Sequence, residues 1–367
     1  MTYGISVKKD SETTNPRPKV NGYQGIKRLV RGQILSGRYQ PNDKLPAEEQ
    51  MSVELGTPRL TLHRALRELA AEGLLQRAAR RGTVVSDPSK HVIGTVALLV
   101  PTPIEEYRMF VALGDALSSN GLALIPYNYQ SDNARALNLA HYLARKPLTG
   151  AVVVLPLGMQ KDVLQVFHKA DVPVVVLGRL PSGLSPVSSV GWDDRGGGRL
   201  LARHLLSLGH RRFATIIASV TPENQERLSG FQEVIAQKCG PVPPENQFAV
   251  TPLEAISLLV QEILARPLDR RPQAIFGINS VVAAHVMLAL HRQGLRVPDD
   301  MAVVGFGNPT LSCATISPMT TIEFPEETLG QMLASMLLNT VTGRITIPQT
   351  MTLDCTLIVR ESCGAKR

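Results

Sequence analysis

The sequence predicts an α/β protein with a small helical head at its N-terminus, followed by a larger part made of two lobes of doubly wound parallel sheet. Three observations predict this arrangement. Apolar residues follow a helical period in the first ninety residues, short apolar strands alternate with helical segments after them, and the positive charge is concentrated in the head.

The predicted boundaries follow from composition and pattern. They are a flexible arm at 1–20, the head at 21–86, a linker at 87–92 and the two-lobed part at 93–363. Lobe 1 is expected to comprise about 93–192 and 323–344, and lobe 2 about 193–322 and 345–363. The arm is rich in Lys, Ser, Thr and Pro, a composition typical of segments without a packed core.

The head is predicted to contain two helices joined by a tight turn and followed by a hairpin. The apolar residues of the helices recur at spacings of three and four: Met51, Leu55, Leu62, Ala65, Leu66 and Leu69. Gly56 interrupts this pattern, and Pro58 begins the second helix, where a missing N–H costs nothing. Arg80, Arg81 and Gly82 separate two short apolar stretches, which predicts a basic turn between strands.

The outward face of the second helix carries polar and basic residues. They are Arg59, Thr61, His63, Arg64 and Arg67. These side chains offer donors for phosphates and for guanine edges, so the head is predicted to enter the major groove of DNA. A helical hairpin with a solvated basic face is the alternative. The charge distribution opposes it, because residues 1–90 hold 16 Lys and Arg against 9 Asp and Glu, which accounts for most of the net +8.

Residues 23–85 resemble the winged helix-turn-helix of the GntR family. The resemblance lies in Leu-Pro-Ala-Glu from position 45, Leu-Gly-Thr-Pro-Arg from 55, Glu-Gly-Leu-Leu from 72 and Arg-Gly-Thr from 81. It implies DNA binding through the start of the second helix and through the wing. The candidate DNA-binding residues are Lys44, Glu49, Arg59, Thr61, His63, Arg64, Arg67, Arg80, Arg81 and Gly82.

Three of these candidates depart from the family pattern at positions that face bases or phosphates. Glu49 stands where the family has arginine, His63 where arginine is frequent, and Arg80 where a wing glycine is usual. Because an acidic group is repelled by phosphates, Glu49 is expected either to accept a hydrogen bond from a cytosine amine or to point away from DNA. The operator is therefore expected to differ from the one common in the family.

After the linker, seven short apolar runs predict buried strands. They lie at 93–100, 122–125, 151–155, 172–177, 213–218, 274–278 and 301–306. Helical segments at 136–144, 161–170 and 200–208 stand between some of them. Such alternation indicates parallel sheets covered by helices on both faces, and about 275 residues exceed the size of one sheet. Ligands of such sheets bind at the carboxyl ends of the strands, so the cleft between the lobes is the expected small-molecule site.

Residues 93–362 resemble the LacI/GalR effector domain, itself similar to periplasmic-binding proteins. Motifs from Val-Pro-Val-Val-Val-Leu at 172 to Val-Arg-Glu-Ser at 359 occur in the family order. The resemblance implies ligand contacts by Arg227 and Asn279, whereas Gly178, Ser280 and Gly307 replace family aspartates. The candidate effector-binding residues are Tyr107, Gly178, Trp192, Asp193, Arg227, Asn279, Ser280 and Gly307.

The loss of these acidic positions bears on the identity of the effector. Buried charged hydrogen bonds contribute about 1.5–3 kcal/mol each, so losing two would weaken a neutral sugar by roughly a hundredfold or more. An anionic or bulkier ligand, such as a sugar acid or sugar phosphate, becomes the leading hypothesis. A neutral sugar and a vestigial pocket that binds nothing stay open as alternatives.

The resemblance to both families identifies a hybrid transcription regulator, similar to arabinose-type repressors. It implies a homodimer on double-stranded operator DNA, with repression as the default and a small carbohydrate-like effector. A solute-binding protein would need an export signal, which the N-terminus lacks, and an enzyme would need a nucleophile with a base or a metal cluster. No catalytic residue, metal or other cofactor is expected, the four cysteines lack metal spacing, and the cytoplasm is the expected location.

Overall fold

The computed structural model describes residues 22–78, 82–87, 94–101, 107–154, 160–178, 180, 187–307, 309–345 and 347–365. The chain divides into two compact units between Val85 and Ser86. The arm predicted at 1–20 and most of the linker predicted at 87–92 lie outside the described residues. Among the residues that are described, no helix is long and apolar enough to cross a membrane.

The first unit is a three-helix head with a two-stranded hairpin. Its elements are α1 (Gly22–Leu35), α2 (Glu48–Glu54), α3 (Arg59–Ala71), β1 (Leu75–Ala78) and β2 (Gly82–Val85). The two strands pair antiparallel. Gly56 adopts a φ of 60° in the turn between α2 and α3, a conformation that suits glycine. The predicted apolar stripe of α3 is confirmed, since Leu62, Ala65, Leu66 and Leu69 are all buried.

A buried ion cluster joins α1 to α3 behind this stripe. Lys27 Nζ lies 3.0 Å from Glu68 Oε2 and 2.5 Å from Glu72 Oε1, and Arg31 also pairs with Glu72. Lys27 and Arg31 are both less than a tenth exposed. Removing one partner of such a cluster would leave a buried charge uncompensated, so each of these four residues contributes to the packing of α1 on α3.

The second unit contains two parallel-sheet lobes. In chain order its regular elements are β3 (Gly94–Val100), α4 (Tyr107–Ser118), β4 (Leu122–Asn128), α5 (Asn133–Leu143), β5 (Gly150–Val154), α6 (Gln160–Lys169), β6 (Val174–Leu177), β7 (Ser188–Trp192), α7 (Asp194–Ser207), β8 (Phe213–Ile217), α8 (Pro222–Cys239), β9 (Gln247–Ala249), α9 (Ile256–Leu264), β10 (Ala274–Gly277), α10 (Ser280–Arg292), β11 (Ala302–Phe306), α11 (Pro309–Ala314), β12 (Thr320–Glu323), α12 (Glu326–Val341), β13 (Thr350–Leu353) and β14 (Thr356–Ile358). All seven strands predicted from apolar runs are confirmed.

Each lobe is one six-stranded sheet. The strand order is β13-β7-β6-β5-β3-β4 in lobe 1 and β14-β12-β11-β10-β8-β9 in lobe 2. All neighbouring strands are parallel except β12 and β14. The chain therefore crosses between lobes after β7, after β12 and after β13, and these three crossovers form the hinge.

The chain returns to lobe 2 for the last time later than the sequence predicted. Residues 345–363 were expected to lie wholly in lobe 2, but β13 pairs with β7 in lobe 1 and only β14 joins lobe 2. The side chains of Thr350, Met351 and Thr352 are exposed. An edge strand with exposed side chains has no apolar run, so the pattern used for the buried strands could not reveal it.

Candidate nucleic-acid interface and ligand pocket

Helix α3 presents a polar and basic face opposite its buried stripe. Arg59, His63, Arg64 and Arg67 are exposed, whereas Thr61 is half-buried. Pro58 occupies the N-cap position, so Arg59 is the first helical residue. The candidate contacts on α3 therefore begin at the end of the helix that would enter a groove first.

Two glutamates at the start of α2 pair with this face. Glu49 Oε1 accepts a hydrogen bond from Arg59 Nη1 at 2.7 Å, and Glu48 lies 3.0 Å from both His63 Nδ1 and Arg77 Nη2. The sequence predicts that Glu49 either accepts a hydrogen bond from a cytosine amine or points away from DNA. In the structure its carboxylate is exposed and binds Arg59, a contact that neither alternative includes. Since exposed pairs contribute at most about 1 kcal/mol, Arg59 can exchange Glu49 for another acceptor at little cost.

The other candidates on the head have varied surroundings. The Arg64 guanidinium lies 3.9 Å from the centroid of the Tyr23 ring, which ties it to α1. Lys44 forms a β-bridge with Val84, and Gly82 begins β2 with a φ of 83°. Arg80 and Arg81, the predicted wing residues, lie outside the described part of the chain.

A pocket of about 360 Å³ lies beside the hinge of the second unit. Strand ends of lobe 1 and the first turns of α7 and α8 in lobe 2 line it, with Gly178 and Trp192 among the lining residues. Four carboxylate residues, Asp193, Asp194, Glu223 and Glu226, face a single lining arginine, Arg195. The lining of this pocket therefore holds more acidic than basic side chains.

Arg227 is held by a carboxylate that the sequence analysis did not identify. Its Nε donates to Asp194 Oδ1 at 2.7 Å, and its guanidinium lies 4.1 Å from the Phe306 ring centroid. The Trp192 indole N–H donates to the same oxygen at 2.9 Å. Burial raises the pKa of Asp194, and the hydrogen bonds from Arg227 and Trp192 oppose that rise. Arg227 is thus oriented before any ligand arrives.

Asp193 and Asn279 are both helix caps. Asp193 Oδ1 accepts from the backbone N–H of Gly196 at 2.8 Å, and Asn279 Oδ1 accepts from that of Val282 at 2.8 Å. Each side-chain oxygen is therefore engaged in starting a helix. Asp193 also lines the pocket, whereas Asn279 is not among its lining residues.

Ser280 and Gly307 contact each other below the lobe 2 surface. Ser280 Oγ donates to the Gly307 carbonyl, which also lies 3.3 Å from Ser312 Oγ and 3.4 Å from Thr321 Oγ1. Ser280 is almost completely buried. The expectation that Ser280 lines the ligand site is not supported, because its hydroxyl satisfies a main-chain carbonyl inside the lobe.

Three of the carboxylate residues that line the pocket were not predicted from the sequence. Asp194 and Glu223 stand in the first turns of α7 and α8, where acidic residues are common for reasons unrelated to ligands, and Glu226 lies about one turn farther along α8. The doubled aspartate at 193–194 was the one available signal. The side chain of Tyr107 lies outside the described part of the chain, as does most of the loop before it.

Among the residues that the structure describes, no group of three or more His, Cys, Asp and Glu side chains is arranged so that it could hold a metal ion. All four cysteines are free thiols. Burial raises the pKa of the Cys355 thiol to about 12, so this sulfur stays protonated beside the hinge.

Comparisons with known proteins agree with these two units. Residues 22–85 match the family described as bacterial regulatory proteins, gntR family, and residues 202–363 match a periplasmic binding protein-like domain. The HTH-type transcriptional regulator CelR of Thermobifida fusca is 32% identical over 262 residues, which cover 69% of this chain and 74% of that protein. The arabinose metabolism transcriptional repressor of Geobacillus stearothermophilus is 29% identical over 338 residues, 88% of this chain and 92% of that protein.

Solved structures extend the likeness to the fold. A transcriptional regulator CelR–cellobiose complex superposes with a TM-score of 0.65 at 26% identity, covering 87% of this chain and all of that one. A regulatory protein of the LacI family from Chloroflexus aggregans gives a TM-score of 0.66 at 20% identity over 73% of this chain and 98% of that chain. These relatives are regulators of transcription rather than enzymes.

Proposed function

Because the chain belongs to the HTH-type transcription regulators that join a GntR-type head to a periplasmic-binding-protein-like domain, we propose that it is a homodimeric repressor controlled by a neutral carbohydrate. The observation that carries the DNA half of this proposal is the exposed basic face of α3. We also propose that it acts in the cytoplasm, where operator DNA is found, with the head at 21–86 and the effector domain at 93–363 as its working parts.

Arg59 is the proposed reader of a guanine. It is the first residue of α3, its side chain is 63% exposed, and an arginine fork matches the two acceptors of guanine in the major groove. Glu49 positions the guanidinium until DNA replaces it. Thr61, His63, Arg67, Lys44 and the wing residues Arg80, Arg81 and Gly82 are proposed to contact the backbone or neighbouring bases, and Arg64 to do so while stacked on Tyr23.

Selection of duplexes from a random pool by the full-length protein tests the DNA half. We expect inverted repeats, since a two-fold dimer presents two heads, and binding that weakens steeply with salt. Arg59→Ala should lose at least about fivefold in affinity and relax preference at one base pair per half-site. Arg38→Ala removes the same charge from an exposed position outside α3 and should keep the selected sequence. Unchanged selectivity in Arg59→Ala would remove the assignment.

The effector half rests on the pocket beside the hinge. Carboxylates accept hydrogen bonds from sugar hydroxyls, and the Trp192 ring, stacked at 4.1 Å on Phe324, offers an apolar surface nearby. Asp194 pairs with Arg227 and Glu226 with Arg195, and the further carboxylates of Asp193 and Glu223 leave the surroundings of the pocket net negative, which opposes binding of a sugar acid or phosphate. The relatives point to the same chemical class, since one is named for arabinose metabolism and another was solved with cellobiose.

Thermal-shift measurements with L-arabinose, cellobiose, gluconate and glucose 6-phosphate test the effector half. We expect a neutral sugar to raise the unfolding temperature and to change the emission of Trp192, the single tryptophan. Glu223→Gln should reduce that shift, whereas Glu254→Gln, at an exposed position away from the pocket, should not. Stabilisation by the anions alone would restore the anionic hypothesis, and a response to none would favour an effector-independent regulator.

A further inference from the structure

The most exposed large apolar side chain of the described residues lies in the middle of the basic face. Leu60, the second residue of α3, is 84% exposed. At 100° per residue it points roughly 170° away from the mean direction of Leu62, Ala65, Leu66 and Leu69. Leu60 therefore lies on the side of α3 that faces directly away from the core of the head.

A single exposed leucine is common in proteins and needs no explanation by itself. The neighbours of Leu60 distinguish it. Arg59 precedes it, and His63 and Arg67 follow at spacings of three and seven, all exposed and on the same side of α3. An apolar group surrounded by basic groups fits a partner that presents apolar patches within an anionic surface.

The floor of the DNA major groove is such a surface. Phosphates line its edges, and the C5-methyl group of thymine is the one apolar feature of its base edges. The N-terminal residues of a recognition helix are those that reach the base edges. A leucine at the second position, beside an arginine suited to guanine, has the reach and the polarity to meet that methyl group.

We propose that Leu60 contacts the methyl group of a thymine in each operator half-site, beside the base pair read by Arg59. This inference rests on the proposed DNA binding and deepens it, because it specifies an A·T pair. Burying one methyl group would contribute about three- to fivefold in affinity. A second protein covering Leu60 would instead leave the operator insensitive to that methyl group.

Single replacement of each thymine in the selected operator by deoxyuridine tests the proposal, because only the methyl group is removed. With the full-length protein we expect one thymine per half-site at which deoxyuridine weakens binding about three- to fivefold. The Leu60→Ala variant should bind operators with thymine and with deoxyuridine at that position equally tightly. Leu60 is exposed, so the unfolding temperature of this variant should match that of the wild type.

Matched variants separate the outcomes. Val53→Ala removes an equally exposed apolar side chain, 83% accessible, from α2 and should keep full sensitivity to deoxyuridine. The proposal is overturned if no thymine is sensitive, or if the sensitivity persists in Leu60→Ala. Failure to select any duplex would instead contradict the proposed DNA binding itself, so the two failures can be distinguished.

Discussion

At the scale of single residues, His204 makes the stability of the second unit depend on pH. Its Nε2 lies 3.2 Å from the buried Cys363 sulfur, and burial, together with the nearby His210, lowers the pKa of His204. The unfolded chain therefore takes up a proton more readily than the folded one, and stability falls as the pH drops below about 6.5. His204→Gln should make the unfolding temperature less sensitive to acid.

The control for this prediction is His141→Gln, which removes an exposed histidine from lobe 1. We expect its pH profile to follow the wild type. Differential scanning fluorimetry between about pH 5 and pH 8 would measure all three proteins, a range that spans the usual histidine pKa. Parallel profiles for wild type and His204→Gln would contradict the assignment.

The residues of the candidate sites were predictable to different degrees. Helical periodicity separated the exposed Arg59 and His63 from the buried Leu62 and Leu66, because that separation depends only on the backbone period. The contact between Arg59 and Glu49 was not predictable, since it depends on the crossing of α2 and α3. The same holds for Asp194, whose partner Arg227 is 33 residues away in sequence.

At the scale of elements, glycines decide how closely α7 and α8 pack. Gly196, Gly197 and Gly198 follow one another near the start of α7. A Cβ at Gly198 would lie 2.1 Å from the Arg227 carbonyl oxygen of α8, and one at Gly230 would lie 2.0 Å from the Arg195 carbonyl oxygen of α7. The two backbones are in contact at both points, and the Asp194–Arg227 pair depends on that approach.

Gly198→Ala should therefore destabilise the second unit. The added methyl group must push α8 away, at a cost of about 1–3 kcal/mol. Gly114→Ala is the matched control, because its Cβ would meet nothing closer than a Leu124 methyl group at 3.9 Å. There, the higher helix propensity of alanine should stabilise by up to about 1 kcal/mol. Equal denaturation midpoints for the two variants would contradict the close approach.

Whether an element could be predicted followed from its burial. Strands β3, β5, β10 and β11 are buried on both faces, so each has a continuous apolar run. Strand β13 is exposed at the edge of its sheet and has no such run. Its membership in lobe 1 comes from pairing with β7, which lies 161 residues away and leaves no trace in local sequence.

At the scale of the whole second unit, the three crossovers are held together at one point. Trp192 on the first crossover stacks on Phe324 of the second, with ring planes 6° apart. Asp193 of the first donates its backbone N–H to the Leu353 carbonyl on the third at 2.9 Å. Any change in the angle between the lobes must alter these contacts, and Trp192 also lines the pocket. A ligand there would act directly on the hinge.

Phe324→Leu tests this link between pocket and hinge, because it keeps an apolar side chain but removes the stack. Aromatic pairs contribute about 0.5–1.5 kcal/mol beyond burial, so the unfolding temperature should fall by a few degrees. Trp192 should become more accessible, seen as emission at longer wavelength and stronger quenching by acrylamide. Phe248→Leu removes a ring from β9, away from the hinge, and should leave that emission unchanged. If Phe324→Leu and Phe248→Leu give the same emission, the stack of Trp192 on Phe324 does not hold the crossovers together. The hydrogen bond from Trp192 to Asp194 would then be the contact that fixes the indole.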